Sequence, residues 1–337
     1  MDSLYGKSRC RRMRNRNPKI KILNPRQIRF FKLEFQNCVI FGSLIFVFSC
    51  LYLCLQIFRY NLFMLNIAVA GAPLQTPKPG GTCEGLKYAH SLGIRAMELE
   101  WVQQVPKNVE RMAEIRTCAE ELGMNLTVHA PYYINLNSPE PATLAASKKR
   151  IIDALTMAEL CGAKSVCVHA AFYLKQDPKD VTERIKKATE EILKDKKKLF
   201  PHVNLAYETM GKPVQWGTLE EVLEVSKEFG IYPTVDPAHL HARYNGKINS
   251  TAEWNEMLDT YQSYLGKESL QNMHMHFSGI QYTEKGERKH LPFAECDAPW
   301  KDFIAILKKR KVGGQLVCES PAMEDDTVLL IKTYKEA

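Results

Sequence analysis

The sequence predicts an α/β fold, a (β/α)8 TIM barrel, on three observations. From Leu65 onward, short β-rich apolar runs alternate with helical stretches of about 10–20 residues, the pattern of a parallel sheet. Eight such runs fit between residues 64 and 337, which is the count and size of that barrel. Gly93, Gly123, Gly162 and Gly230 each stand a few residues before a predicted strand, where helix C-caps belong.

The predicted strands are Asn66–Ala70, Arg95–Leu99, Asn125–His129, Ser165–His169, Asn204–Glu208, Tyr232–Asp236, Asn272–His276 and Gln315–Glu319. Each is followed by a helix candidate. The longest connection, Phe277 to Ala298, is long enough to be functional. The organisation read from this is a leader, 1–63, and a barrel domain, 64–337.

The leader is set apart by charge. Of 46 Lys and Arg in the chain, 12 fall in residues 1–63, against only Asp2 and Glu34. The barrel region keeps 34 basic and 36 acidic residues, a net of −2, so no global basic footprint argues for nucleic acid. Cys38 to Leu55 holds 18 uncharged residues, extended by Gln56-Ile57-Phe58, enough for a membrane-spanning helix over 38–58. Eleven basic residues precede it, which places the N-terminus on the cytoplasmic side. Two readings stay open: a membrane anchor, or an upstream mis-start of a cytoplasmic enzyme whose own first residue is Met64. The ten cysteines contain no C-x-x-C pair, and the six of the barrel region read as reduced, buried thiols of a cytosolic protein.

Chemistry enters at the strand ends. His129, His169, Glu208, Asp236, His276 and Glu319 each close a predicted strand, and His239 follows Asp236 in D-P-A-H. TIM-barrel sites are built at that end. One histidine there is usually a satisfied polar residue. Seven ligand-type residues in equivalent positions would repel one another and be poorly solvated unless cations join them. Mixed imidazole and carboxylate sets suit Zn²⁺ or Mn²⁺, two to three ions for this many ligands.

The ordered strings H-A-P-Y-Y-I-N-L, V-H-A, E-T, D-P-A-H, M-H and C-E-S resemble endonuclease IV across residues 64–337. That resemblance implies a monomeric, zinc-dependent hydrolase that cuts double-stranded DNA 5′ to abasic sites. It assigns His129, His169 and Glu208 to one metal. Glu208 bridges to a second held by Asp236, His276 and Glu319, and His239 and His290 take the third. Glu208 and Glu319 are then catalytic, with Glu319 orienting the nucleophile. Tyr132 and Asn135 match positions that line the family's site.

Two departures matter. The family's D-x-H pair falls at Arg288 and His290, so Glu287 must substitute through a shift of the loop; Arg288 and Lys289 are then free to meet phosphate. The loop after the second strand carries no Arg, and its Trp101 has two readings, wedging a base step or packing into the core. The alternative is a divalent-metal sugar isomerase or epimerase, which shares the fold, needs fewer His ligands and uses a Lys or second carboxylate for proton transfer. Lys194 to Lys198 reads as a solvated face. His202 and His241 are off the pattern, and His274 shares the face of His276 deeper in the barrel.

Overall fold

The computed structural model describes residues 65–337. The leader and its apolar segment 38–58 lie outside the described residues. No helix among the described residues is long and apolar enough to cross a membrane.

Twelve strands occur among the described residues: β1 Leu65–Ala70, β2 Ala96–Glu100, β3 Asn125–His129, β4 Ser165–Val168, β5 Ala171–Phe172, β6 Asn204–Tyr207, β7 Gln215–Trp216, β8 Thr234–Val235, β9 Met273–Phe277, β10 Gly279–Thr283, β11 Gly286–Leu291 and β12 Gly314–Cys318. Eight of them form one parallel sheet in the order β6-β4-β3-β2-β1-β12-β9-β8. The two ends of that order meet through a single parallel bridge, Glu208 to Thr234, and Thr209 N–H donates to the Thr234 carbonyl at 3.1 Å. The barrel is therefore nearly closed, and the closing contact lies at Glu208.

All eight predicted barrel strands are present, the third with the same bounds and the others with shifted ends. The sixth shrinks to Thr234–Val235 because Asp236 leaves the ladder to cap a helix. Its Oδ1 accepts from Ala238 N at 2.7 Å and His239 N at 3.0 Å, and Pro237 opens helix Pro237–Arg243. Gly123, Gly162 and Gly230 take the left-handed C-cap conformation, with φ of 65°, 76° and 62°. The stretch Phe277 to Ala298 is not simply a loop: it contains the antiparallel hairpin β10–β11 and a short 3-10 turn, Phe293–Glu295. A second small ribbon pairs β5 with β7.

Between sheet and helices lies a continuous apolar layer that includes Trp216, Trp254, Tyr261, Phe200, Phe277 and Phe303, all buried. Inside the barrel the residues are different. Ala68, Ala96 and Val317 form a small apolar floor. Beside it runs a polar chain: Gln315 Nε2 donates to Thr127 Oγ1 at 2.6 Å, Thr127 to Glu98 Oε2 at 2.7 Å, and His274 Nε2 meets the same oxygen at 2.8 Å.

The ends of the chain's barrel are sewn together by Glu324, which is 2% exposed. Its Oε2 accepts from Leu74 N and its Oε1 from Gln75 N, both at 2.9 Å, tying the loop after β1 to helix Met323–Glu336. Charge-assisted bonds of this kind contribute about 1.5–3 kcal/mol each when buried, and less where the donors lie near water. Glu324→Ala is expected to destabilise the fold by about 2 kcal/mol, lowering Tm by roughly 4–8 °C in thermal unfolding. An unchanged Tm would remove this bond from the account of the fold.

Candidate metal centre

Period-two alternation along parallel strands sends every second side chain into the barrel, and the last inward residue of each strand emerges at its mouth. His129 ends β3 and His276 lies within β9, while His169, Glu208, Asp236 and Glu319 follow β4, β6, β8 and β12 by one residue. Nine predicted ligands converge there: these six with His239, Glu287 and His290. His129, His169, His239, Glu287, His290 and Glu319 face a cavity of about 430 Å³. Glu208, Asp236 and His276 lie just beneath it, at 1% exposure or less.

Glu208 is the centre of the arrangement. Its Oε2 lies 2.8 Å from His169 Nε2 and 3.7 Å from His129 Nε2. Its Oε1 lies 3.1 Å from both His239 Nδ1 and His276 Nδ1. One carboxylate thus addresses four imidazoles. Three groups of donor atoms, each mutually within 4.8 Å, surround it: Glu208, Asp236, His276 and Glu319; His129, Cys167 and Glu208; His239, Glu287 and His290.

The backbone fixes which atoms face inward. His129 Nδ1 is 2.8 Å from the Ala130 carbonyl, His239 Nδ1 3.0 Å from that of Thr209, and His290 Nδ1 3.1 Å from that of Glu319. Carbonyls only accept, so Nδ1 of each ring carries a hydrogen, and in the neutral ring the lone pair is on Nε2. His276 is reversed: its Nδ1 faces Glu208 and Glu319, and Glu98 Oε1 stands 2.8 Å behind Nε2.

Burial favours neutral carboxyls and neutral imidazoles, and charge proximity opposes it. For His276, burial alone lowers the pKa, but Glu319, Glu98 and Glu208 overcome it and hold the ring well above the usual range. His129 and His239 are raised in the same way, against their own burial. Glu319, despite burial, is drawn down to about 2 by His276. Asp236 moves up, through burial and then the nearby Glu319 and Glu208. Asp236 Oδ2 and Glu319 Oε2 are buried acceptors without a hydrogen-bond partner. The donor set and these orphaned oxygens fit divalent cations, which would take over the charge balance that protons on the imidazoles otherwise supply.

Glu287 enters by a device that the sequence reading left as an unspecified shift. In the hairpin, Lys289 pairs with Gln281 but Glu287 pairs with Tyr282, so Arg288 is the extra residue of a β-bulge. The bulge offsets the alternation, and Glu287 and His290 line the same cavity. Gly211 permits the approach: a Cβ there would sit 2.7 Å from Glu287 Cβ and 3.1 Å from His239 Cδ2.

Two sequence expectations are corrected. Trp101 is 8% exposed within the apolar layer and is in no position to wedge into DNA. Asn135 does not line the cavity; its Oδ1 accepts from Asn137 N at 3.1 Å and from Phe172 N at 3.4 Å, joining its own loop to β5. Arg288 and Lys289 are exposed on the hairpin, outside the cavity lining, so any contact they make with a ligand lies beyond the cavity itself. Tyr132, by contrast, lines the cavity with half its surface exposed, 5.1 Å from the His129 ring and 5.2 Å from that of His169.

Sequence reading missed Cys167, whose Sγ donates to Glu208 Oε2 at 3.1 Å, and Glu98. Both stand two residues before an inward residue, the signal that singled out His274. It also missed Lys212, which lines the cavity from a connection with no motif.

The sequence model of the xylose isomerase-like TIM-barrel family matches residues 86–336. An uncharacterized protein of Methanocaldococcus jannaschii is 35% identical over 273 residues, 81% of this chain and 98% of its own length. A probable endonuclease 4 of Shouchella clausii is 24% identical over 230 residues, 63% of this chain and 76% of its own. Among solved structures, endonuclease IV from Thermus thermophilus superposes with a TM-score of 0.60 at 17% identity, covering 80% of this chain and 98% of that one. D-psicose 3-epimerase from Clostridium cellulolyticum does so at 0.59 and 15%, covering 81% and 99%. At these identities the structural likenesses carry the fold alone.

Gly211→Ala is expected to displace Glu287 and cost the group His239, Glu287 and His290 its cation. Elemental analysis of the purified full chain should then show about one equivalent less than the parent, with the other groups intact. Equal metal content in the two proteins would detach this group from metal binding.

Proposed function

Because the chain belongs to the xylose isomerase-like TIM-barrel family and gathers nine ligand-type side chains at the barrel mouth, we propose that it is a metal-dependent phosphodiesterase that hydrolyses the DNA backbone 5′ to abasic sites. The observation that carries this reading is Glu208, whose two oxygens each face two imidazoles. A carboxylate so placed serves two cation sites at once. His129 and His169, with Cys167 nearby, complete one; Asp236, His276 and Glu319 complete the other; His239, Glu287 and His290 offer a third. Bound there, Zn²⁺ or Mn²⁺ supplies charge neutralisation for a phosphate and activates water at neutral pH.

The chain's own residues do the rest. Glu319 Oε2, an acceptor without a partner, takes a hydrogen bond from the attacking water and so orients it. Glu98 holds the His276 ring from behind, at 2.8 Å. Tyr132 and Phe172 offer aromatic surface to the sugar beside the missing base. Arg288 and Lys289, exposed beside the mouth, meet flanking phosphates. The reading takes double-stranded DNA as the partner of a monomeric enzyme, cytoplasmic unless residues 38–58 anchor it to a membrane.

A sugar isomerase or epimerase is the second reading. It is favoured by the net −2 of residues 64–337, which lacks the basic footprint of a nucleic-acid binder. Five imidazoles in the cluster speak against it, since proton transfer on a sugar needs fewer.

Full chain purified without chelator is expected to carry two to three equivalents of Zn²⁺ or Mn²⁺ and to incise a duplex bearing one tetrahydrofuran abasic analogue. Glu208→Gln keeps the shape of the side chain but removes its charge. It should lose at least one equivalent and nearly all incision while its circular dichroism is unchanged. Absence of incision with either metal, together with turnover of a ketose or aldose, would transfer the case to the isomerase.

A further inference from the structure

We propose that Lys212 clamps a phosphate of the substrate at the cavity mouth, a role that rests on the phosphodiesterase reading. Among the described residues that line the cavity, Lys212 is the one Lys or Arg. It is half-buried, and its ammonium has no ion-pair or hydrogen-bond partner among the described residues. Lys186, also half-buried, shows the contrasting case of a cation satisfied within the protein: it meets Glu183, Glu224 and Glu228 at 2.9, 2.6 and 3.1 Å.

The backbone of Lys212 is held firmly although its ammonium has no polar partner among the described residues. Arg243 Nη1 donates to the Lys212 carbonyl at 2.9 Å, to that of Gln215 at 2.9 Å and to that of Met210 at 3.3 Å. Arg243 Nη2 donates to Tyr173 Oη at 3.1 Å, and that hydroxyl in turn donates to Glu221 at 2.7–2.8 Å. On the other side, Glu287 N donates to the Gly211 carbonyl at 3.0 Å. The strap from Met210 to Gln215 is thus anchored at both flanks while the ammonium is left for an outside partner. A pairing inside the protein would have satisfied a stabilising role.

The ligand follows from the chemistry. The carboxylates that line the cavity, Glu287 and Glu319, are assigned to cations, so an added fixed positive charge serves an anion of the substrate. A lysine binds phosphate as a point charge and tolerates the range of orientations a flexible backbone presents. The half-exposed rings of Tyr132 and Phe172 on the same cavity suit the nucleoside next to that phosphate. The rival role for Lys212 is proton transfer on a sugar.

The test compares full-length wild type, Lys212→Met and Lys212→Arg, each loaded with Mn²⁺. Duplex carrying one tetrahydrofuran analogue is the probe, with salt varied from about 50 to 200 mM. Lys212→Met should raise Kd and KM about tenfold, leave kcat within about threefold, and make the salt dependence shallower by about one unit of slope. Lys212→Arg should recover binding and slope, because a phosphate clamp needs charge and not a removable proton. Wild-type Kd and slope in Lys212→Met would overturn the proposal. So would loss of kcat in both variants at unchanged KM, the mark of a proton-transfer lysine. A parallel titration with inorganic phosphate separates the two levels. If wild type ignores the duplex but binds phosphate tenfold better than Lys212→Met, the clamp stands and the nuclease reading fails. If wild type binds neither, the clamp fails too.

Discussion

The mouth of this barrel is organised by the difficulty of burying many ionisable groups together. Glu208, Asp236, Glu319 and Glu98 lie among His129, His169, His239, His274 and His276 in a volume largely closed to water. Such a set is stable only if the charges balance, through protons on imidazoles or through cations between the donors. Around Glu208 four donors have one atom tied to the frame and another turned inward. Asp236 gives Oδ1 to a helix N-terminus and leaves Oδ2 without a hydrogen bond, 3.3 Å from His239 Nδ1. His129, His239 and His290 give Nδ1 to carbonyls.

The layer beneath supports this. Glu98, Thr127, His274 and Gln315 form a connected polar chain inside the barrel, where a partly satisfied group would be costly. Through Glu98 that chain reaches His276, and through Ser165 and Thr234, each 3.2 Å from His274 Nδ1, it reaches β4 and β8. Orientation of the upper layer is therefore shared by strands distant in sequence. Cys167 belongs to the same logic, since its thiol is pushed far up by burial and by Glu208, and donates to that carboxylate.

The walls of the cavity come from segments outside the barrel strands. The ribbon of β5 and β7 carries Phe172 and Gln215, and hairpin β10–β11 carries Glu287 and His290. The two walls meet where Gly211 and Gly286 pass closely; a Cβ on Gly286 would lie 2.3 Å from the Gly211 carbonyl oxygen. Side-chain-free backbone at this crossing lets the hairpin lean far enough to bring Glu287 toward His239, with Nε2 to Oε2 at 3.7 Å.

The sequence by itself determined the barrel, its eight strands and most of the convergent donors. Strand periodicity and the strand-end position of a ligand are local properties, and a parallel barrel turns the second directly into a shared mouth. The D-P-A-H string likewise encoded a capped helix start that presents Asp236 and His239 together. Tertiary structure alone decided the rest. The bulge at Arg288 inverts a facing that alternation would assign, and its effect depends on pairing with Gln281 and Tyr282. Trp101 and Asn135 are placed by contacts across loops, which burial and backbone donors fix and no motif announces. Lys212 is set apart only by the fold, where Arg243, 31 residues away, holds its carbonyl and no described residue holds its ammonium. Periodicity reports which face a residue takes; only the assembled fold reports what stands opposite it.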